Sequence, residues 1–280
     1  MIAFLAPDRP LYWLIAGYAL VALCYIRGLY LRGERRDLLP AVLFIAGLIG
    51  LYLLTQTALD RWGRELFYAH RVQHLFLHHL APFLIALAAP SDVLLAGIPS
   101  AWQRASKRIP VPPILRLGYR WLQDPLIGAV LFVGMIAFWL TPAIHMLAMQ
   151  SLTGYWLMNL GMAADGLAFW WFMLDRRPPG ASATTYSVGK RIVVLWAIMP
   201  PQIAIGAYIT LTSQTLYPHY ATAEALTGIS AMTDQQLGGL ITWIPAAMMS
   251  VVGTLILLSF SFRHAKTDIR PQIDANAASG

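Results

Sequence analysis

The sequence has few charged residues and almost no cysteine. Only 12% of its 280 residues are Asp, Glu, Lys or Arg, whereas 58% are hydrophobic, and the mean hydropathy is +0.58. Because soluble globular domains carry about 25% charged residues, this shortage excludes an ordinary soluble protein. The single cysteine, Cys24, excludes an internal disulfide. The composition is typical of an integral membrane protein.

The sequence is instead rich in long apolar segments. A membrane-spanning helix needs about 20 mostly apolar residues, and the sequence contains seven such segments. We predict an all-α, polytopic membrane protein with transmembrane helices at 11–31, 39–58, 67–89, 126–148, 153–174, 191–212 and 236–262. These helices would form a single domain over residues 1–262. We expect the tail at 263–280 to be cytoplasmic and disordered.

The basic residues are sorted by loop, and this sorting predicts the orientation. Sixteen of the 20 Lys and Arg residues would lie on one side of the membrane, and the other four are Arg9, Arg61, Arg64 and Arg71. Since basic residues concentrate in cytoplasmic loops, we expect the N-terminus outside and the C-terminus in the cytoplasm. The sorting also argues against a nucleic-acid partner, which would need basic residues gathered on one soluble face.

Four histidines lie close together in the third predicted span, in the segment HRVQHLFLHH at residues 70–79. His70, His74 and His78 are spaced four residues apart, so they share one face of a helix. Ionisable side chains are expensive in hydrocarbon and usually face a partner or a cavity. Histidine reduces that cost by staying neutral, and neutral imidazole is also its metal-binding form. Two histidines four residues apart can hold one metal ion from a single helix.

The fourth predicted span supplies another histidine at the same depth. It ends in WLTPAIHMLAMQ, which would bring His145 to the outer boundary of the membrane with Met146 and Met149 close behind. Imidazole and thioether ligands both suit copper. We therefore predict an external metal site formed by His70, His74 and His145, with Met149 in support and copper as the expected metal.

Other polar residues in the predicted spans have less distinctive patterns. His78 is expected to support the site or to make a helix-to-helix hydrogen bond. Asp165 lies deep in the fifth span, where an acid must be protonated, paired or beside a cavity; a functional role and a structural hydrogen bond are both open. Asp234 opens the seventh span, and Thr233 and Gln236 complete a capping pattern there, so we expect helix capping.

Four stretches of this sequence resemble the CtaG-like family of caa3-type cytochrome c oxidase assembly factors. They are AHRVQHLFLHHLAPFLIALAAP, WLTPAIHMLAMQSLTGYWLMNLGMAADGLAFWW, PQIAIGAYITLTSQTLYPHYA and DQQLGGLITWIPAAMMSV, and the resemblance covers most of residues 60–255. It implies a seven-span protein of the bacterial inner membrane that takes part in maturation of haem-copper oxidases and is thought to deliver copper. By position, the histidines of the family fall on His70, His74 and His145.

The fifth span departs from the family pattern. Many members carry a further H-x-x-x-H early in this span, whereas this sequence has Tyr155 and Asn159 at those positions. Three alternatives follow from the departure: the ligands are the three histidines alone, or a methionine joins them, or tight metal binding has been lost.

The leading functional hypothesis is a non-enzymatic assembly factor that passes copper to an oxidase subunit or to a periplasmic copper chaperone. The alternative is a haem-binding membrane protein or metal transporter, with histidines of facing helices as haem ligands. A zinc hydrolase is not expected, because its H-E-x-x-H motif needs a glutamate after the first histidine, and Arg71 follows His70. A scaffold for oxidase subunits that binds no metal is a further alternative.

Overall fold

The computed structural model describes residues 10–33, 38–178, 180–181 and 185–278, with side chains as far as Phe262. Within these residues every regular element is a helix. In chain order the elements are α1 (Tyr12–Arg32), α2 (Leu38–Gln56), α3 (Ala58–Glu65), α4 (Phe67–His74), a π-helix (Leu75–Leu80), α5 (Ala81–Ala88), α6 (Ser91–Gly97), α7 (Ser100–Arg108), α8 (Pro113–Leu122), α9 (Pro125–Leu140), α10 (Pro142–Met149), α11 (Leu152–Met173), α12 (Val188–Ala197), α13 (Met199–Leu211), a 3-10 turn (Pro218–Tyr220), α14 (Ala223–Thr227) and α15 (Ala231–Ala278).

Several of these helices are long and apolar enough to cross a membrane. Four candidates stand alone: α1, α2, the segment formed by α12 and α13, and α15 as far as Phe262. Two more are bent pairs, in which α6 turns 73° from the segment of α4 to α5, and α9 turns 79° from α8. The described residues therefore contain four to six candidate spans. The remaining predicted span corresponds to α11, a 22-residue helix that is less apolar because it contains Asn159 and Asp165.

The histidine-rich span contains a π-helical turn in its middle. The N–H of Ala81 bonds to the carbonyl of Phe76, five residues back, and not to the carbonyl four residues back. The next residue, Pro82, has no N–H to give to the carbonyl of His78, so the α-helical pattern cannot continue through this turn. π-helical turns are frequently found at functional sites. Here the turn carries His78 and His79.

Glycines allow two helices to approach this span very closely. A Cβ atom added to Gly166 of α11 would lie 2.2 Å from the carbonyl oxygen of His78. A Cβ atom added to Gly238 of α15 would lie 2.2 Å from the ring of Phe67, at the start of α4. Small residues at such crossings are typical of helix packing in membranes. The span with the histidines is therefore held between α11 and α15.

The surface is apolar where the candidate spans face outward. Leu38, Leu211 and Phe262 expose 80%, 81% and 72% of their surface. Contiguous exposed apolar surface would favour aggregation in water, and contact with lipid removes that problem. The interior between the spans contains the buried polar residues described below.

The last helix extends beyond the predicted end of the seventh span. We expected a disordered tail after residue 262, whereas the backbone of α15 continues as a helix to Ala278. Between Thr254 and Ala278 the sequence has no glycine and a single proline, Pro271, so few residues oppose continuation of the helix.

Candidate functional site

The three predicted metal ligands lie together in the interior. His70 and His74 project from α4 and His145 from α10, and each is at most 1% exposed. The ring centroid of His70 lies 4.3 Å from that of His74 and 5.1 Å from that of His145. The helix is interrupted at Thr141, between α9 and α10, and Pro142 is the first residue of the helix that carries His145. We call His70, His74 and His145 the outer histidine cluster.

His70 has one nitrogen without a partner. Its Nδ1 lies 3.0 Å from the carbonyl oxygen of Gly63. Because a carbonyl can only accept, Nδ1 carries the hydrogen and donates it. The lone pair of the neutral ring is therefore on Nε2, which is buried and has no hydrogen-bond partner. A buried nitrogen without a partner is uncommon, and this one is ready to accept a proton, a hydrogen bond or a metal ion.

His145 has both nitrogens occupied. Its Nδ1–H donates to the carbonyl oxygen of Trp139 at 3.0 Å, so Nε2 must accept from the hydroxyl of Tyr220 at 2.9 Å. Burial raises the pKa of Tyr220 well above its ordinary value, which keeps this hydroxyl protonated and able to donate. The lone pair of His145 is therefore already used within the protein.

His74 is held by a cation and an amide. The Nη1 of Arg71 lies 3.4 Å from Nδ1 of His74, a long contact in which the guanidinium can only donate. The Nε2–H of His74 then donates to the Oδ1 of Asn159 on α11, at 2.9 Å. Asn159 occupies one of the two positions at which the resemblance implied a histidine, so that position does face the cluster.

The rings converge, but their lone pairs do not point to a common centre. Among the described residues, no group of three or more His, Cys, Asp or Glu side chains is arranged to hold a metal ion. The lone pairs of His74 and His145 are engaged by Arg71 and Tyr220, and that of His70 alone is unused. Metal binding at this cluster stays a prediction, and it requires at least one of these hydrogen bonds to be released.

Arg71 is the residue whose importance the sequence analysis missed. It is only 4% exposed, and its Nε donates to the hydroxyl of Thr242 on α15 at 3.0 Å. No carboxylate bonds to it among the residues whose side chains are described. A guanidinium keeps its charge in proteins, so the outer histidine cluster surrounds a buried positive charge. The sequence did contain a signal for this role, because an arginine inside an apolar span is rare and usually functional.

A second polar group lies beside the cluster. The hydroxyl of Tyr155 donates to Asp60 Oδ1 at 2.7 Å and lies 3.0 Å from Gln73 Oε1. The Nε2 of Gln73 donates to the same carboxylate oxygen at 3.2 Å. The ring of Tyr155 is 6.1 Å from the ring of His70. Tyr155 is the other position at which the resemblance implied a histidine, and it too faces the cluster.

Asp165 pairs with His78 and does not reach the outer cluster. The Nε2–H of His78 donates to its carboxylate at 2.8 Å, and the two side chains are 0% and 11% exposed. The Nδ1 atoms of His78 and His79 have no partner. His78, His79 and Arg71 line a cavity of about 10 Å³, a volume on the order of one water molecule. We call His78 and Asp165 the inner pair.

Met149 lines an open pocket of about 430 Å³ at the start of α11. Tyr155 and His219 line the same pocket. The structure thus assigns Met149 to this pocket, next to the cluster.

Asp234 caps a helix other than the expected one. Its carboxylate accepts from the backbone N–H groups of Phe67 and Tyr68, both at 2.8 Å, so it caps α4. The start of α15 is capped by Ser230, whose hydroxyl accepts from the N–H of Thr233 at 3.1 Å. The expectation of capping is therefore right about the chemistry and wrong about the helix, because the two helices are adjacent only in the folded chain.

Comparison with known proteins gives distant relatives. An uncharacterized protein of Mycobacterium leprae is 24% identical over 78% of this chain and 33% of its own length. Uncharacterized proteins of Mycobacterium bovis and Mycobacterium tuberculosis are each 25% identical over 84% of this chain and 37% of their own length. This chain spans about a third of the length of these relatives. No solved structure matches it.

A match to a family model shows the family of this chain. The model described as cytochrome c oxidase caa3 assembly factor matches residues 13–264, which include every helix around the histidines. The resemblance in the sequence pointed to the same family. The chain belongs to the caa3 cytochrome c oxidase assembly factor family.

Proposed function

We propose that this protein is a non-enzymatic assembly factor that holds copper in the bacterial inner membrane, near its periplasmic face, and passes it on. The recipient would be a haem-copper oxidase subunit or a periplasmic copper chaperone. The observation that carries the proposal is the outer histidine cluster, in which the unpartnered Nε2 of His70 lies among three converging rings. Imidazole nitrogen is a good ligand for copper.

The surroundings of the cluster favour weak binding, which suits a protein that must release its cargo. The buried charge of Arg71 repels a second cation placed among the same rings. Binding through His145 also requires its nitrogen to give up the hydrogen bond from Tyr220. Net hydrogen-bond contributions of about 0.5–1.5 kcal/mol make such an exchange feasible.

Copper content tests the proposal. Purified wild-type protein equilibrated with excess copper(I) is expected to bind close to one copper per chain, and a variant carrying His70→Ala and His74→Ala is expected to bind almost none. His79→Ala is a matched control, because it removes a buried histidine of the same span from outside the cluster. Circular dichroism confirms that all three proteins are folded. Equal copper contents in the wild-type protein and the double variant would defeat the proposal.

Haem binding has less support from the packing. The buried cavity beside the histidines measures about 10 Å³, whereas cofactor sites typically measure about 300–1,000 Å³. The absorption spectrum of the same preparation separates the alternatives, because bound haem would give a Soret band and histidine-bound copper(I) would not.

We also propose the seven-span topology, with the N-terminus in the periplasm and the C-terminus in the cytoplasm. This topology counts α11 as a seventh span in addition to the six candidates. The length of α11, 22 residues at about 1.5 Å each, exceeds the thickness of the hydrocarbon core. In a Cys24→Ser background, a membrane-impermeant maleimide should label Gln214→Cys in cells with a permeabilised outer membrane. It should not label Ser106→Cys, which is also exposed but would lie in the cytoplasm. The opposite labelling would reverse the orientation.

A further inference from the structure

The open pocket at the start of α11 contains two groups that bind soft metals. Its lining residues include Met149, at the end of α10, and His219, in the 3-10 turn; thioether and imidazole are both ligands for soft metals. These residues are 70 positions apart in the sequence, and the fold brings them to one cavity of about 430 Å³. The pocket is open to the surroundings of the protein, unlike the outer histidine cluster, where His70 is 0% exposed.

The imidazole of His219 has a nitrogen available for a ligand. Its Nε2 lies 3.1 Å from the carbonyl oxygen of Arg64, so Nε2 carries the hydrogen and donates it. In the neutral ring the lone pair is then on Nδ1. Neutral imidazole with a fixed tautomer is the form that ligates metals, and a carbonyl acceptor on the other nitrogen is the usual means of fixing it.

The side chain of Tyr155 connects this pocket with the cluster. Tyr155 lines the pocket, is only 2% exposed, and has its ring 6.1 Å from the ring of His70. Its hydroxyl is tied to Asp60 and Gln73, which holds the ring in place. Since the cluster is closed, an ion that reaches His70 from this side must pass the position of Tyr155.

The nearby charges do not prevent a monovalent cation from binding in the pocket. Arg61 and Arg64 line it, but Glu65 lies 3.7 Å from Arg61, and Arg64 is ion-paired with Asp60. Each positive charge thus has a carboxylate beside it. This differs from the cluster, where no carboxylate bonds to Arg71 among the described side chains.

We propose that the pocket is the loading site for copper(I), with Met149 and His219 as its first ligands and Tyr155 as the gate to His70. The inference rests on the function proposed above and adds a second, exposed site to it. The ion arrives as copper(I) and stays copper(I). Its donor ligands are replaced by thioether and imidazole in the pocket, and these are replaced by imidazole in the cluster, so no electron is transferred.

The rate of copper uptake tests the proposal. Full-length protein in lipid nanodiscs is mixed with copper(I) held by a coloured chelator, and the loss of colour gives the initial rate. The initial rate is divided by the amount of copper bound at the end of the reaction. A variant that only lowers the capacity of the cluster then shows an unchanged normalised rate. Met149→Leu and His219→Gln should each lower the normalised rate about fivefold or more. Met146→Leu is the matched control, because it removes a thioether from the same helix outside the pocket lining.

The possible outcomes separate this inference from the function on which it rests. If Met149→Leu and His219→Gln load as fast as Met146→Leu and reach the same final copper content, the loading site is wrong and the cluster stands. If the wild-type protein takes up no copper, both proposals are wrong.

The gate is tested separately. Tyr155→Phe removes the hydroxyl that ties the ring to Asp60 and Gln73, so it should raise the normalised rate severalfold. An unchanged or lower rate would show that copper does not pass Tyr155.

Discussion

The outer histidine cluster and the inner pair lie on the same span but hold their histidines in different ways. In the cluster, the partners of His70 and His145 are neutral carbonyls and a hydroxyl, and the charged side chain that contacts a ring is the cation Arg71, at His74. In the inner pair, His78 donates directly to the carboxylate of Asp165. Each region leaves one histidine lone pair without a partner, that of Nε2 in His70 and that of Nδ1 in His78, but only the inner pair contains a carboxylate.

The number of converging imidazoles, together with the carboxylate, distinguishes the two regions. A neutral ring with an unpartnered nitrogen can accept an incoming ion without breaking an ion pair. Nδ1 of His78 also has no partner, but the cluster brings three imidazole rings together, whereas only His78 and His79 lie together at the inner pair. The bond from His78 to Asp165 joins two helices, and separating it would strand a polar group or a charge in a low-dielectric interior. We therefore place the proposed copper handling at the cluster, and we propose that the inner pair attaches α11 to the histidine-rich span.

The largest expected effect comes from the glycine that allows the inner pair to form. Gly166→Ala places a methyl group 2.2 Å from the backbone oxygen of His78, so α11 must move away and the pair must lengthen. We expect a loss of about 3 kcal/mol or more in the free energy of unfolding. Thermal unfolding in detergent measures it. Gly134→Ala is the control, because nothing lies within 4 Å of its added Cβ atom. Equal stability of the two variants would contradict the close contact.

Removing the carboxylate of the inner pair should have the next largest effect. Asp165→Leu leaves the Nε2–H of His78 buried without an acceptor, at a cost of about 1–3 kcal/mol. Asp165→Asn keeps an oxygen acceptor and should lose less. Copper bound per folded molecule should be unaffected in both variants, because the pair is outside the cluster. A selective loss of copper in Asp165→Asn would place Asp165 in the metal site and erase the contrast between the two regions.

Releasing His145 should have a smaller effect, and of a different kind. Tyr220→Phe removes the hydroxyl that donates to its Nε2, which destabilises the fold by about 1 kcal/mol. The lone pair then becomes available, and copper affinity should rise about fivefold, as about 1 kcal/mol implies. Competition with a chelator measures the affinity. Weaker copper binding in this variant would mean that Tyr220 positions the ring for copper and does not compete with it.

The smallest expected effect is that of Asp234→Asn, at the cap of α4. Asp234→Asn keeps an oxygen for the N–H groups of Phe67 and Tyr68 but loses the interaction of the charge with the helix dipole, worth about 0.3–1 kcal/mol. Asp234→Ala loses the cap as well and should cost about 0.5–2 kcal/mol. Thermal unfolding should rank the wild-type protein first and Asp234→Ala last. An unaltered midpoint in both variants would show that α4 does not depend on this cap.

The sequence predicted the helices and the histidine cluster better than it predicted the hydrogen-bond partners of the buried polar side chains. Local spacing was sufficient to place His70 and His74 on one face, and the depth of the two spans was sufficient to bring His145 beside them. Spacing could not reveal that Asp165 binds His78, 87 positions away, or that Tyr220 occupies the nitrogen of His145. The π-helical turn was equally hidden, because Pro82 gives only a general signal for a break.

The sequence by itself determined that the chain is a helical membrane protein with histidines gathered in one span. Apolar segment length and residue spacing are local properties, and they act before any two helices meet. Only the tertiary structure decided which nitrogen of each histidine is left unused, and that Met149 and His219 line one pocket. Those outcomes depend on close crossings such as that at Gly166, where packing fixes the distance between side chains that are far apart in the chain.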